Sequence, residues 1–194
     1  MSTQALSYRS LSDPSAFSGL ALWLIPSPPV DTQLSSLISS LSKTHSTPLF
    51  PPHVTLLTGI SVATPPASIL SSLRAALSSS SPGPFHLHLS SLGSKAPQKN
   101  FFQYLFATID PTSAPLVALR KCVRDALLPL EVGTTDEYFP HLSLMYGEDL
   151  EGRSAVELMK WIEVGVEEIE VREVLLVRCE GRPEEWRVIG RLPL

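Results

Sequence analysis

The feature that most constrains this chain of 194 residues is a short segment that occurs twice. Pro51-Pro52-His53-Val54-Thr55-Leu56-Leu57-Thr58-Gly59 is answered by Phe139-Pro140-His141-Leu142-Ser143-Leu144-Met145-Tyr146-Gly147, and both read Pro-His-apolar-hydroxyl-Leu and close on Gly. In an extended strand successive side chains point to opposite faces. His53 therefore shares a face with Thr55, and His141 with Ser143, while Val54, Leu56, Leu142 and Leu144 take the opposite, buried face. Each strand offers an imidazole and a hydroxyl roughly 7 Å apart along one edge. A single His-x-Thr is a common chance occurrence and often only a satisfied structural histidine. Here the two histidines stand 88 positions apart (141 − 53 = 88), near half the chain, the spacing of two similar halves that each bring one strand to a shared cleft.

Two such strands face to face make a clamp of two imidazoles and two hydroxyls. Hydroxyls and protonated imidazoles donate hydrogen bonds to oxygens without a metal, which suits a tetrahedral anion, phosphate above all. With an unperturbed pKa of about 6.5, two histidines readily divide into one neutral and one protonated near neutral pH. That division is what acid–base catalysis at a phosphodiester requires.

Around this pair the pattern reads as one α+β domain over residues 1–194, with residues 1–18 as a loose lead-in. Gly19 to Ile25 is a buried strand closed by Pro26, Pro28 and Pro29. Asp31 or Thr32 caps a helix carrying Leu34, Leu37, Ile38 and Leu41 on one face. The first motif strand is expected to end at Gly59. A helix through Ile69, Leu73 and Leu77 follows, then a strand over Phe85–Leu89 with His86 and His88 on its outer face. Phe101–Ala107, rich in strand formers, pairs with it as a hairpin. A helix through Leu116, Leu119, Val123 and Leu127 leads to the second motif strand. Residues 152–163 form a last helix, Ile169–Val171 and Val174–Val177 read as sheet, and a hairpin at Glu180–Pro183 returns along Trp186–Gly190.

Apolar residues make up 43% and charged residues 18% of the chain, ordinary for a soluble globular domain. The net charge of −4 disfavours a broad basic surface for polymeric nucleic acid and favours a small nucleotide. Cys122 and Cys179 alone do not make a disulfide framework. No basic start followed by an apolar run marks a secretory signal, and no apolar stretch is long enough for a membrane span, so an intracellular, cytoplasmic protein is expected. His86 and His88 lack the further ligands of a zinc pattern, so neither a metal nor another cofactor is expected.

The paired His-x-[Ser/Thr] motifs resemble those of the 2H phosphoesterase superfamily, nearest to its plant and yeast cyclic phosphodiesterases. Leu22-Trp23-Leu24-Ile25-Pro26, Phe101-Phe102-Gln103 and Glu185-Trp186-Arg187-Val188 fall in the family's order. The resemblance implies a bilobal fold, two antiparallel sheets with outer helices related by a pseudo-two-fold, and the cleft between them. It implies His53, Thr55, His141 and Ser143 as catalytic residues and Trp23, Phe102 and Tyr146 as binders of the nucleotide, with no role assigned to Gln103 or Trp186. It further implies a metal-independent hydrolase, acting as a monomer, that opens 2′,3′-cyclic nucleotides to 2′-phosphates. ADP-ribose 1″,2″-cyclic phosphate from tRNA splicing would be a second substrate, opened to ADP-ribose 1″-phosphate. The alternatives are a non-catalytic nucleotide- or RNA-binding module, whose mark would be loss of a motif residue, and a 2′-5′ RNA ligase or RNA-end-processing phosphodiesterase.

Overall fold

The computed structural model describes residues 18–95, 101–130, 138–147, 155–160 and 162–194. Among the described residues seven strands carry the architecture: β1 (Ser18–Pro26), β2 (Val54–Ile60), β3 (Phe85–Gly93), β4 (Leu105–Ile109), β5 (His141–Met145), β6 (Glu168–Glu180) and β7 (Arg187–Pro193). They form one sheet in the order β1-β2-β5-β4-β3-β6-β7, and β1 also pairs with β6. Every pairing is antiparallel. The first six strands thus close into a ring, with β7 added along β6. The two motif strands meet in the middle, where Val54 stands opposite Leu142.

Alternation divides the sheet into two faces. Leu20, Leu22 and Leu24 of β1 join the main core, whereas Ala21, Trp23 and Ile25 pack on the other face with Leu175, Val177, Cys179 and Trp186. Helix α1 (Val30–His45) buries Leu34, Ile38 and Leu41. α2 (Pro66–Ser80) buries Ile69, Leu73 and Leu77, and α3 (Ala114–Leu127) buries Leu116, Leu119, Val123 and Leu127. The three-and-four spacing read from the sequence puts each set on one side of its helix. α1 lies against β5 and β1, α3 against β2, and α2 against α3 and β7. The helical side is therefore dry and the opposite side of β1, β2 and β5 is free to form a cleft.

Several expectations are corrected. In place of two sheets, the strand pairing is a single continuous sheet, because β6 is one strand of 13 residues that serves β1, β3 and β7 together. The two sheet segments read at 169–171 and 174–177 are its parts, joined through Arg172 and Glu173. Those charges stay outside, Arg172 on Glu170 at 2.7 Å and Glu173 on Arg191 at 2.6 Å. Phe101–Gln103 is a 3-10 turn, with the strand beginning only at Leu105. Gly59 does not end β2: it sits at φ +83° and the strand runs on to Ile60. Leu20 pairs with Ile60 and Leu22 with Leu57, a bulge that glycine's left-handed conformation permits. Helix α1 begins at Val30, so Asp31 lies in its first turn instead of capping it. Of the helix expected over 152–163, α4 (Ala155–Met159) is helical, while residues 152–154 and 161 lie outside the described residues, as do residues 1–17 of the lead-in. Among the described residues no helix is long and apolar enough to cross a membrane.

Candidate active site

Both motif histidines are pinned in the same way. His53 Nδ1 lies 2.7 Å from the carbonyl of Pro51, and His141 Nδ1 lies 2.8 Å from the carbonyl of Phe139. A carbonyl only accepts, so Nδ1 carries the proton in each ring and Nε2 is left as the working nitrogen. The X-Pro steps that hold the chain extended before each strand put a carbonyl two residues upstream within reach of each ring. Both Nε2 atoms turn toward one cleft.

Their surroundings differ. His53 is 4% exposed. Trp23 stacks flat on it, ring centres 3.7 Å apart and planes within 11°. The Tyr146 hydroxyl stands 3.3 Å from its Nε2. Burial pushes its pKa down to about 4; the Pro51 carbonyl offsets part of this and the charge of His141 adds to it. His141 is only half-buried, stacks on the exposed ring of Phe139 at 5.4 Å, and meets the Gln103 side-chain amide 3.5 Å from Nε2. Its pKa is also lowered, first by burial, with the Phe139 carbonyl opposing and Lys95 contributing. The Lys95 ammonium lies over the Phe139 ring at 4.3 Å, beside the mouth of the cleft.

The cleft encloses about 190 Å³ and opens directly on solvent. It is lined by His53, Thr55, His141 and Ser143 together with Trp23, Phe102, Gln103, Tyr146 and Trp186. All seven residues that the sequence marked are therefore brought to one place. The hydroxyls are not equivalent. Thr55 stands half-buried on β2, while Ser143 is 4% exposed and donates to the Phe102 carbonyl at 3.0 Å. The aromatic rings differ too. Trp23 and Tyr146 are each 3% exposed and each gives a ring face to protein, Trp23 to His53 and Tyr146 to Phe50 at 3.7 Å. Phe102 and Trp186 are only half-buried and lie 5.8 Å apart.

Residues 18–194 match the sequence profile described as "Cyclic phosphodiesterase-like protein". The chain belongs to this cyclic phosphodiesterase family of 2H phosphoesterases. A 2′,3′-cyclic-nucleotide 3′-phosphodiesterase of Yarrowia lipolytica is 29% identical over 216 residues, covering 89% of this chain and 98% of that protein. The fold is that of TT0787 of Thermus thermophilus, with a TM-score of 0.66 at 18% identity over 91% of this chain and 97% of the other. It is also that of E. coli LigT in its apo form, TM-score 0.61 at 14% identity over the same shares. As a member of the cyclic phosphodiesterase family, the protein is an enzyme of the cyclic-nucleotide phosphodiesterase type.

Three lining residues of this cyclic phosphodiesterase cleft carried no signal in the sequence: Ala21, Thr58 and Cys179. Ala21 and Cys179 belong to runs that read as plain core, and Thr58 reaches the cleft only because of a second register shift, between the Trp23–Thr55 and Leu22–Leu57 pairs, which leaves Leu56 and Leu57 both in the main core. Burial pushes the Cys179 thiol up to about 12, so it stays protonated. His86 and His88 lie away from the cleft and engage Glu168 across the β3/β6 pairing at 3.0 and 3.2 Å.

Proposed function

We propose that the protein hydrolyses 2′,3′-cyclic nucleotides to nucleoside 2′-phosphates by acid–base catalysis between His53 and His141. The observation that carries this is the shared pinning of the two rings, which leaves both Nε2 atoms facing one open cleft. His53, the more deeply buried, is neutral at neutral pH and is the base. Its Nε2 takes a proton from water as the oxygen bonds to phosphorus, and the P–O3′ bond breaks as His141 delivers its Nε2 proton to O3′. The anionic phosphate between them favours the imidazolium at His141 and offsets the opposing charge of Lys95. Thr55 faces the non-bridging oxygens, where a donor stabilises charge developing at phosphorus, and the Ser143 hydroxyl joins it by turning from the Phe102 carbonyl. Phe102 and Trp186, the half-buried rings of the lining, border the nucleoside. ADP-ribose 1″,2″-cyclic phosphate presents the same cyclic diester on a ribose and is a second substrate under this reading.

Phosphorus NMR of 2′,3′-cyclic AMP incubated with the enzyme tests it. The expected product is adenosine 2′-phosphate alone, formed equally well after chelation with EDTA, because imidazoles and hydroxyls supply every proton and donor. Formation of the 3′-phosphate, or loss of turnover on chelation with recovery on adding metal, would overturn the scheme.

A further inference from the structure

The base of the proposed reaction is held on every side that can be held. Its Nδ1 is fixed by the Pro51 carbonyl at 2.7 Å, its face is covered by the indole of Trp23 at 3.7 Å, and its Nε2 meets the Tyr146 hydroxyl at 3.3 Å. Phe50 closes the edge, 6.2 Å away and nearly perpendicular, and stacks on Tyr146 in turn. Because Nδ1 bears the proton, the Tyr146 hydroxyl is the donor to Nε2. Burial raises the phenol well above its ordinary range, so that proton is always present. Neither Trp23 nor Tyr146 has a free face to offer a base, since each is 3% exposed and already stacked on protein.

We propose that Trp23 and Tyr146 are positioning residues for His53, holding the imidazole in one plane with Nε2 aimed at the cleft, the Tyr146 hydroxyl giving up Nε2 to the attacking water when substrate is bound, while nucleoside contacts fall to Phe102 and Trp186. This rests on His53 being the base. Trp23 stands opposite Thr55 in the β1/β2 pairing and His53 lies two residues before Thr55, immediately ahead of β2, so the stack is a diagonal contact on one face that follows from register and does not depend on a ligand. Tyr146 comes from the end of the second motif, five residues after His141. The second half of the chain thereby orients the histidine of the first. Other titratable groups around the ring, among the described residues, are His141 on β5 and Cys179 on β6.

Positioning and nucleobase binding give different signatures. In Tyr146→Phe the ring and its stack on Phe50 remain, and the hydroxyl's contacts to His53 Nε2 and to Ser143 are lost. The expected outcome is a fall of about tenfold in kcat for 2′,3′-cyclic AMP with KM nearly unchanged, since the imidazole loses a contact that orients it while the substrate contacts remain. The acidic limb of kcat/KM should also move up by about half a pH unit, because a hydrogen bond to the neutral imidazole is gone. Trp23→Leu should move the same limb up by letting water reach the ring, and Trp23→Phe should restore most of the wild-type profile. A rise in KM that differs between 2′,3′-cyclic AMP and 2′,3′-cyclic UMP, with the pH profile unmoved, would overturn the proposal, because that is what a base platform gives.

A measurement on the unaltered enzyme needs no variant to fold. By proton and nitrogen NMR, the His53 Hε1 resonance should be shifted upfield by the indole, with Nδ1 protonated, and should keep that shift when adenosine 2′-phosphate is added to saturation. Loss of the shift on adding the nucleotide means that the base has displaced the imidazole from Trp23, and the proposal fails. This reading does not depend on turnover: an enzyme inactive on cyclic nucleotides but with the stack intact refutes the proposed reaction and leaves the positioning assignment standing.

Discussion

His53 and His141 start from the same local geometry and end with different proton affinities, and that difference sets the working pH. A base must be neutral and an acid protonated, so kcat/KM rises as His53 loses its proton and falls as His141 loses its own. With His53 at about 4 and His141 also held below 6.5 by burial, the profile for 2′,3′-cyclic AMP should be a bell with an acidic optimum, its limbs near pH 4 and below pH 6.5. The two values belong to the coupled pair, so variants are needed to separate them. His53→Ala and His141→Ala should each cost on the order of 10² to 10⁴ in kcat and each remove one limb. The double variant should fall well short of the product of the two losses, because both groups act in one transition state. A flat profile through pH 4–7, or either single variant within a few-fold of wild type, would sink the two-histidine account.

Among the elements, the 3-10 turn Phe101–Gln103 does most to finish the cleft, and the sequence misread it. Phe101 to Ala107 has the aromatic content of a strand, but tertiary contacts prevail over that propensity. Gly147 N donates to the Phe101 carbonyl at 3.0 Å, Ser143 Oγ to the Phe102 carbonyl at 3.0 Å and Lys95 N to the Gln103 carbonyl at 2.8 Å. The turn is thus tied to β5 and to the end of β3, which brings Phe102 and Gln103 to the cleft. Ser143 has a structural duty that Thr55 lacks, and the two hydroxyls should not respond alike. Ser143→Ala removes the Ser143 donation to the Phe102 carbonyl, at a cost of about 1 kcal/mol. It should raise KM for 2′,3′-cyclic AMP several-fold more than Thr55→Ala does, while leaving both pH limbs in place. Steady-state kinetics and urea unfolding of the two variants check this; equal effects would mean that the tie is not holding the turn. The motif strands and helix faces were legible because Leu34, Ile38 and Leu41 or Leu116, Leu119 and Val123 advertise one face. β6 was less legible because Val174–Val177 is buried on both faces, two residues in each core cluster, and a run without alternation says nothing about how many partners a strand has.

For the molecule as a whole, closing the sheet so that β2 and β5 meet places an imidazole in a nearly dry interior, and this has a consequence for stability. The unfolded chain takes up a proton on His53 as pH falls through about 6.5, whereas the folded protein resists until about 4. Between those values the unfolded state binds more protons, so folding stability rises with pH across the window. Stability is therefore fully present above about 6.5 and is lost progressively down to about 4, by about 3 kcal/mol from this group. Carboxylates and His141 titrate over the same range, so the total slope does not isolate His53. His53→Phe does, since it keeps an aromatic ring against Trp23 and cannot be protonated. Urea unfolding at several pH values from 4 to 7 should show wild type losing about 3 kcal/mol more than His53→Phe on acidification, with the two converging toward pH 4. Parallel curves would show that His53 is protonated in the folded protein, and with that the neutral base and its dry setting would both be lost.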